Sequence, residues 1–188
     1  MTKHFVIIGG GPAGNTAATY AARFGAKVTM IERDLIGGAA HLRDCVPSKA
    51  MIATGSALGT INDAQRMGLT DVSATLDFDA LRGRIASIGE RLERSTTTLL
   101  ESQGVKLLLG TGRMVGPNQV VAETEAGRIE LEADVVLLAT GSRPRIPEWA
   151  HVDGERILTT RDAYPPRTLP EHLVVIGSGV TGVEFVHM

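Results

Sequence analysis

Three glycines at positions 9, 11 and 14 follow directly on the apolar run Lys3 to Ile8 (KHFVII) and open an alanine-rich segment, Ala13 to Phe24. No other feature constrains the chain as much. A short, nearly continuous apolar run is what a parallel strand covered on both faces requires. The alanine-rich segment reads as a helix closing against Gly25, a residue suited to the left-handed position past a helix end. Lys27 to Glu32 (KVTMIE) is again strand-like, so the pieces form one βαβ unit with a right-handed crossover. Each glycine has a cause: Gly9 permits the tight turn, Gly11 lets the backbone approach a pyrophosphate, and Gly14 lets helix and strand pack closely. The helix start offers N–H groups and a positive dipole end to phosphates. Glu32 ends the second strand 23 positions beyond Gly9, close to the spacing expected of an acid that accepts hydrogen bonds from ribose hydroxyls. Pro12, Ala13 and Arg33 complete this candidate dinucleotide site. The bland alternative is a glycine-rich turn, which leaves the strand, helix and acid in register unexplained.

Further along, Leu42 to Leu58 can hold a helix after Pro47, and Asn62 to Thr75 reads as a loop. From Asp77, a candidate N-cap, the residues Leu81, Ile85, Ile88, Leu92, Leu99 and Leu100 fall mostly at helical spacing until Gly104, which predicts a long amphipathic helix with Arg and Glu on its wet face. Val105 to Leu109, Met114 to Val115, Gln119 to Glu123 and Arg128 to Leu131 read as short strands of a small meander, and Val135 to Ala139 as another buried strand. Prolines gather from Pro144 to Pro170 and mark a connector. Leu173 to Ile176 (LVVI) then reads as a new strand and Gly177 onward as a new glycine loop and helix, so VVIGSGVTG repeats VIIGGGPAG. The expectation is an α/β fold: a Rossmann-like domain over 1–150 with a parallel sheet and a meander, a linker over 151–170, and over 171–188 the opening strand and helix of a second Rossmann-like domain.

Apolar residues make up 43% and charged residues 21%, with a formal charge of −2, which predicts a packed core and leaves no basic stripe for a nucleic acid. No apolar run approaches the length of a membrane span, and a cytoplasmic protein is expected. His41, His151, His172 and His187 show no metal-ligand spacing, so no metal site is expected. Cys45 is the only cysteine, and an internal disulfide is therefore impossible. It reads as a buried residual thiol, or as a reactive one if its surroundings favour the thiolate.

The segment Gly37 to Lys49 (GGAAHLRDCVPSK) resembles the redox-disulfide loop of the pyridine nucleotide-disulfide oxidoreductases, in which GG-T-C-x4-C-x-P-S-K holds a cysteine pair over a flavin. Ala139-Thr140-Gly141-Ser142-Arg143-Pro144 is similar to the family segment that closes over the cofactor, and Gly112 matches a backbone position near the adenine. The resemblance implies FAD held by the first glycine loop, Glu32, Gly38, Ala39, Lys49, Gly112, Ala139, Thr140 and Gly141. It also implies NAD(P)H held by Gly177, Gly179, Val180 and Gly182, and a homodimer for a full-length member but not for this portion. In the family the lysine at position 49 lies near the flavin and pairs with the glutamate after the second glycine motif, here Glu184. A buried Lys49 ammonium with a Glu184 partner is thus expected, and Lys49, Glu184 and Cys45 are the catalytic candidates.

One departure decides the chemistry that the resemblance implies. The family's first cysteine is replaced by Ala40, and a dithiol relay needs two sulfurs. The pattern is similar to a branch of dihydrolipoamide dehydrogenase homologues that lack the disulfide and pass electrons from NAD(P)H to quinone-like acceptors. The alternatives are a true dihydrolipoyl dehydrogenase drawing on another thiol, and a truncated FAD-binding module that is itself inactive.

Overall fold

The computed structural model describes residues 2–187. It divides into two compact units that do not follow chain order: residues 2–43 with 89–143, and residues 44–88 with 144–187.

In the first unit, β1 (His4–Ile8), β2 (Lys27–Glu32) and β6 (Val135–Leu138) run parallel with the start of β3 (Lys106–Gly116). The sheet order is β5-β4-β3-β2-β1-β6, where β4 is Gln119–Thr124 and β5 is Gly127–Glu132. Alternation along the strands separates two cores. Ile7, Val28 and Met30 pack with Ala18 of α1 (Pro12–Arg23) and Leu100 of α3 (Phe78–Ser102). Val6, Ile8 and Ile31 pack instead with Val120 and Ala122 of β4 and with Ala133. Each large aliphatic side chain buried in this way contributes about 1.5–3 kcal/mol.

The sequence anticipated two strands at 105–109 and 114–115. They are one strand, β3, whose first residues pair with β2 in parallel while Gly110 to Gly116 pair with β4 antiparallel. Gly110 and Gly112 do not interrupt it. A side chain at Gly110 would fall on the backbone of Glu123, and a Cβ at Gly112 would lie 3.0 Å from Ile8 and 3.2 Å from Ile31. They are glycines because another chain segment passes close by.

In the second unit, α2 (Val46–Asn62) follows a π-helical turn over Ala40–Cys45, and a single 3-10 turn at Ala64–Met67 lies within the segment read as a loop. Asp77 caps α3 as expected: its carboxylate accepts the amides of Asp79 at 2.9 Å and Ala80 at 3.0 Å. Leu81 and Ile85 meet Ala50 of α2 in a small core. Leu92 and Leu99, read as core positions, are 40% and 50% exposed. Leu99 and Leu100 are about 100° apart on the helix, so only one of them can face inward. The predicted strand at Leu173–Ile176 is absent: the segment belongs to no helix or strand, and Val174 and Ile176 are 70% and 73% exposed. A strand exists through its ladder, and no strand among the described residues lies beside this one. α4 (Thr160–Ala163) and α5 (Val180–His187) complete this unit.

Candidate functional site

The first glycine loop leaves the carboxyl end of β1, where β2 continues the sheet to one side and β6 to the other. This is a topological switch point, the position at which open α/β sheets take ligands. Gly9 has φ 114°, and any side chain there would strike the carbonyl of Ala139 at the end of β6. A Cβ at Gly14 would fall on the carbonyl oxygen of Gly9, so the helix seats directly on the turn. Gly38 has φ 74° and its backbone lies against Gly11, while the amide of Gly37 donates to the carbonyl of Gly10 at 2.8 Å. Gly9, Gly11, Gly14, Gly38 and Ala139 are therefore brought together.

Gly11 differs from its neighbours. A Cβ there would meet nothing closer than the Gly38 Cα at 3.8 Å, and its φ of −78° suits any residue. The protein itself does not require this glycine, which matches a position kept bare for a ligand. Gly11 is also the N-cap of α1, has no side-chain cap, and precedes Pro12 and the exposed Ala13. The first-turn amides, with the dipole behind them, are thus available to an anion such as a pyrophosphate. These residues fit a dinucleotide.

Glu32 does more than the sequence suggested. Its two carboxylate oxygens accept the amides of Gly10 at 2.6 Å and Asp34 at 2.8 Å, and lone pairs remain on both for ribose hydroxyls. Asp34 is in turn held by a bidentate pair with Arg43, at 2.7 and 2.8 Å. Arg33, next to Glu32, is exposed, as are Thr140 and Gly141, which follow Ala139. Gly112 is not part of this loop cluster, for it stands over Ile8 and Ile31 in β3.

In the second unit the expected Lys49–Glu184 pair is present and bidentate, at 2.7 and 2.8 Å. Its burial is not as expected. The Lys49 side chain is 59% exposed. Such a pair contributes about 0–1 kcal/mol. Cys45, read as buried, is exposed: it precedes α2, whose first turn spends its inward positions on Pro47 and Ser48. Gly177, Gly179, Val180 and Gly182 form a second turn built like the first. Gly177 has φ 124°, a Cβ at Gly182 would fall on its carbonyl, and Val183 donates to Gly179 as Asn15 donates to Gly11.

Two contacts around Lys49 were not anticipated. Arg161 reaches Asp44 at 3.3 Å, and the rings of Tyr164 and Phe185 lie 5.4 Å apart, an arrangement contributing about 0.5–1.5 kcal/mol. Burial pushes the Tyr164 phenol above its ordinary value near 10, assisted by the negative charges of Glu184 and Asp44. The charge at Asp44 was the available signal, but its partner Arg161 is remote in sequence. Among the described residues no cluster could hold a metal ion, and no helix is long and apolar enough to cross a membrane.

Comparison with known proteins agrees with this geometry. An NAD(P)H dehydrogenase (quinone) of Mycobacterium tuberculosis is 40% identical over 99% of this chain and 40% of its own length. A dihydrolipoyl dehydrogenase of Zymomonas mobilis is 35% identical over 98% of the chain and 40% of its own length. The crystal structure of LpdA from Mycobacterium tuberculosis superposes with a TM-score of 0.88 at 39% identity, covering 98% of this chain and 42% of that one. The flavoprotein disulfide reductase RclA of Escherichia coli, 23% identical with a TM-score of 0.75, shares the fold. The chain thus spans about 40% of the length of the curated relatives it matches. Residues 3–187 match the pyridine nucleotide-disulphide oxidoreductase family, and the chain belongs to it.

Proposed function

We propose that this chain is the FAD-holding portion of an oxidoreductase that takes hydride from NAD(P)H and passes electrons to a quinone-like acceptor without a dithiol relay. The carrying observation is that Ala40 and Cys45 stand at the two ends of one π-helical turn with a single sulfur between them, the only one a cysteine supplies in the chain. A relay needs one thiolate to attack and a second to resolve the mixed disulfide. The relative named an NAD(P)H dehydrogenase (quinone) supports the acceptor, and the one named a dihydrolipoyl dehydrogenase stands for the dithiol chemistry this reading departs from.

FAD, when bound, supplies hydride acceptance and onward electron transfer. The chain supplies the binding and the electrostatics. The open amides of Gly11, Ala13 and Gly14 receive the pyrophosphate, and Glu32, already fixed by Gly10 and Asp34, receives the adenosine ribose. Gly38 and Thr140 lie against this loop, with Ala39 and Gly141 next to them in the chain, and Lys49, held by Glu184, is the positive charge that the family resemblance assigns to the reduced cofactor. Gly177, Gly179, Val180 and Gly182 present the equivalent turn to a nicotinamide dinucleotide.

The test compares acceptors in the protein at the full length of its relatives. NAD(P)H-dependent reduction of a benzoquinone is expected to exceed NAD+-dependent oxidation of dihydrolipoamide by orders of magnitude. Anaerobic titration with NADH is expected to bleach the flavin without a thiolate-to-flavin charge-transfer band. Efficient dihydrolipoamide oxidation would overturn the reading.

A further inference from the structure

The Lys49–Glu184 pair is largely open to water, and α5, which carries Glu184, has no buried residue of its own. An ion pair this exposed does not fix two helices in one geometry, because solvent screens it and both side chains can turn away. Other contacts must place Glu184 opposite Lys49. Next to Glu184, the Phe185 ring meets that of Tyr164, which directly follows α4. Within the single turn of α4, Arg161 reaches Asp44 just before α2. The Arg161 amide donates to the Thr159 hydroxyl, and the Asp162 carboxylate closes the capping box from the other side, so the direction of Arg161 is set by its own backbone.

Three contacts thereby close a ring of elements. Lys49 and Glu184 join α2 to α5, Phe185 and Tyr164 join α5 to the corner at 159–164, and Arg161 and Asp44 join that corner back to the start of α2. Two contacts are partly buried and one is exposed, so the first two constrain the third. We infer that Tyr164 and Arg161 are positioning residues: by gripping Phe185 and Asp44 they set where the Glu184 carboxylate meets the Lys49 ammonium. The catalytic meaning of this placement rests on the proposed function; the placement itself does not. Burial of the Tyr164 phenol agrees with a role for the ring rather than for its ionisation.

The placement is tested on this chain by zero-length carbodiimide coupling, which joins an amine to a carboxylate only when they touch, with peptide mass spectrometry as the readout. The parent is expected to give a Lys49–Glu184 cross-link, with the Lys3–Asp134 pair at 2.9 Å as internal reference. Tyr164→Ala and Arg161→Ala are each expected to lower the 49–184 yield about fivefold relative to the reference, while Tyr164→Phe keeps it. An unchanged ratio in Tyr164→Ala, or an equal loss in Tyr164→Phe, overturns the inference. If Tyr164→Ala also loses hydrogen-exchange protection along α2, the second unit has unfolded, and Arg161→Ala then decides. In the full-length protein, Tyr164→Ala is expected to lower kcat for flavin reduction by NAD(P)H about tenfold with KM little changed, and Tyr164→Phe to restore it. That half-reaction involves no quinone, so a wrong acceptor leaves it intact.

Discussion

The Glu32 carboxylate, at the end of β2, holds the amide of Gly10 in the loop after β1 and the amide of Asp34 in the loop after β2. One side chain thus ties two loops that have no ladder between them. Glu32→Ala leaves both amides without this acceptor and is expected to cost about 1–3 kcal/mol of stability and at least about tenfold in FAD affinity. Thermal melting with and without FAD, together with quenching of flavin fluorescence, measures both. An equal loss of stability with unchanged FAD affinity would confine Glu32 to a structural role.

Gly11 and Gly14 should separate binding from folding. Gly14→Ala forces a methyl onto the Gly9 carbonyl and is expected to cost about 1–3 kcal/mol, visible as a lower melting temperature in the free chain. Gly11→Ala meets no protein atom closer than 3.8 Å and is expected to change stability by no more than about 0.5 kcal/mol while weakening FAD binding. Isothermal titration beside calorimetric melting would show the two variants failing in opposite assays.

Cys45 is exposed and has no cysteine partner in the chain. One equivalent of an aromatic disulfide reagent is expected to react without denaturant, with no further thiol appearing when guanidinium is added. A thiol that reacts only after unfolding would contradict the exposed placement.

Tyr164 should leave a mark at alkaline pH. Its folded-state pKa is raised above the ordinary value of 10.0, so its contribution is complete below that value and is lost as pH rises through the folded pKa. The melting temperature of the parent is expected to fall more steeply above pH 10 than that of Tyr164→Phe. Coincident profiles for the two proteins would show that the phenol is not buried.

Much of this was legible where the signal is local. The run from Lys3 to Glu32 is a strand, a glycine turn, a helix and a strand, and each piece is fixed by residues within a few positions of it. The Lys49–Glu184 pair was reached through a family resemblance, not from the chain's own periodicity. What escaped is settled by distant packing. Leu99 and Leu100 are the same residue type on one helix, and only the first unit's core decides that Leu100 faces inward. Leu173–Ile176 is as apolar as β1, yet apolarity does not supply a hydrogen-bonding neighbour. Gly110 and Gly112 resembled punctuation because a sequence does not show what passes beside a strand. Arg161 and Tyr164 fell in a proline-rich connector, where no periodicity singles out a side chain.

β3 belongs to two ladders in succession, and this orders the molecule in time. Its antiparallel pairing with β4 closes a loop of a few residues, whereas its parallel pairing with β2 must bring together segments separated by the whole of α2 and α3. Loop-closure entropy makes the first association far cheaper than the second. Chain connectivity therefore favours the β3-β4-β5 pairings over the docking of β3 onto β2, with Gly110 at the joint between the two ladders.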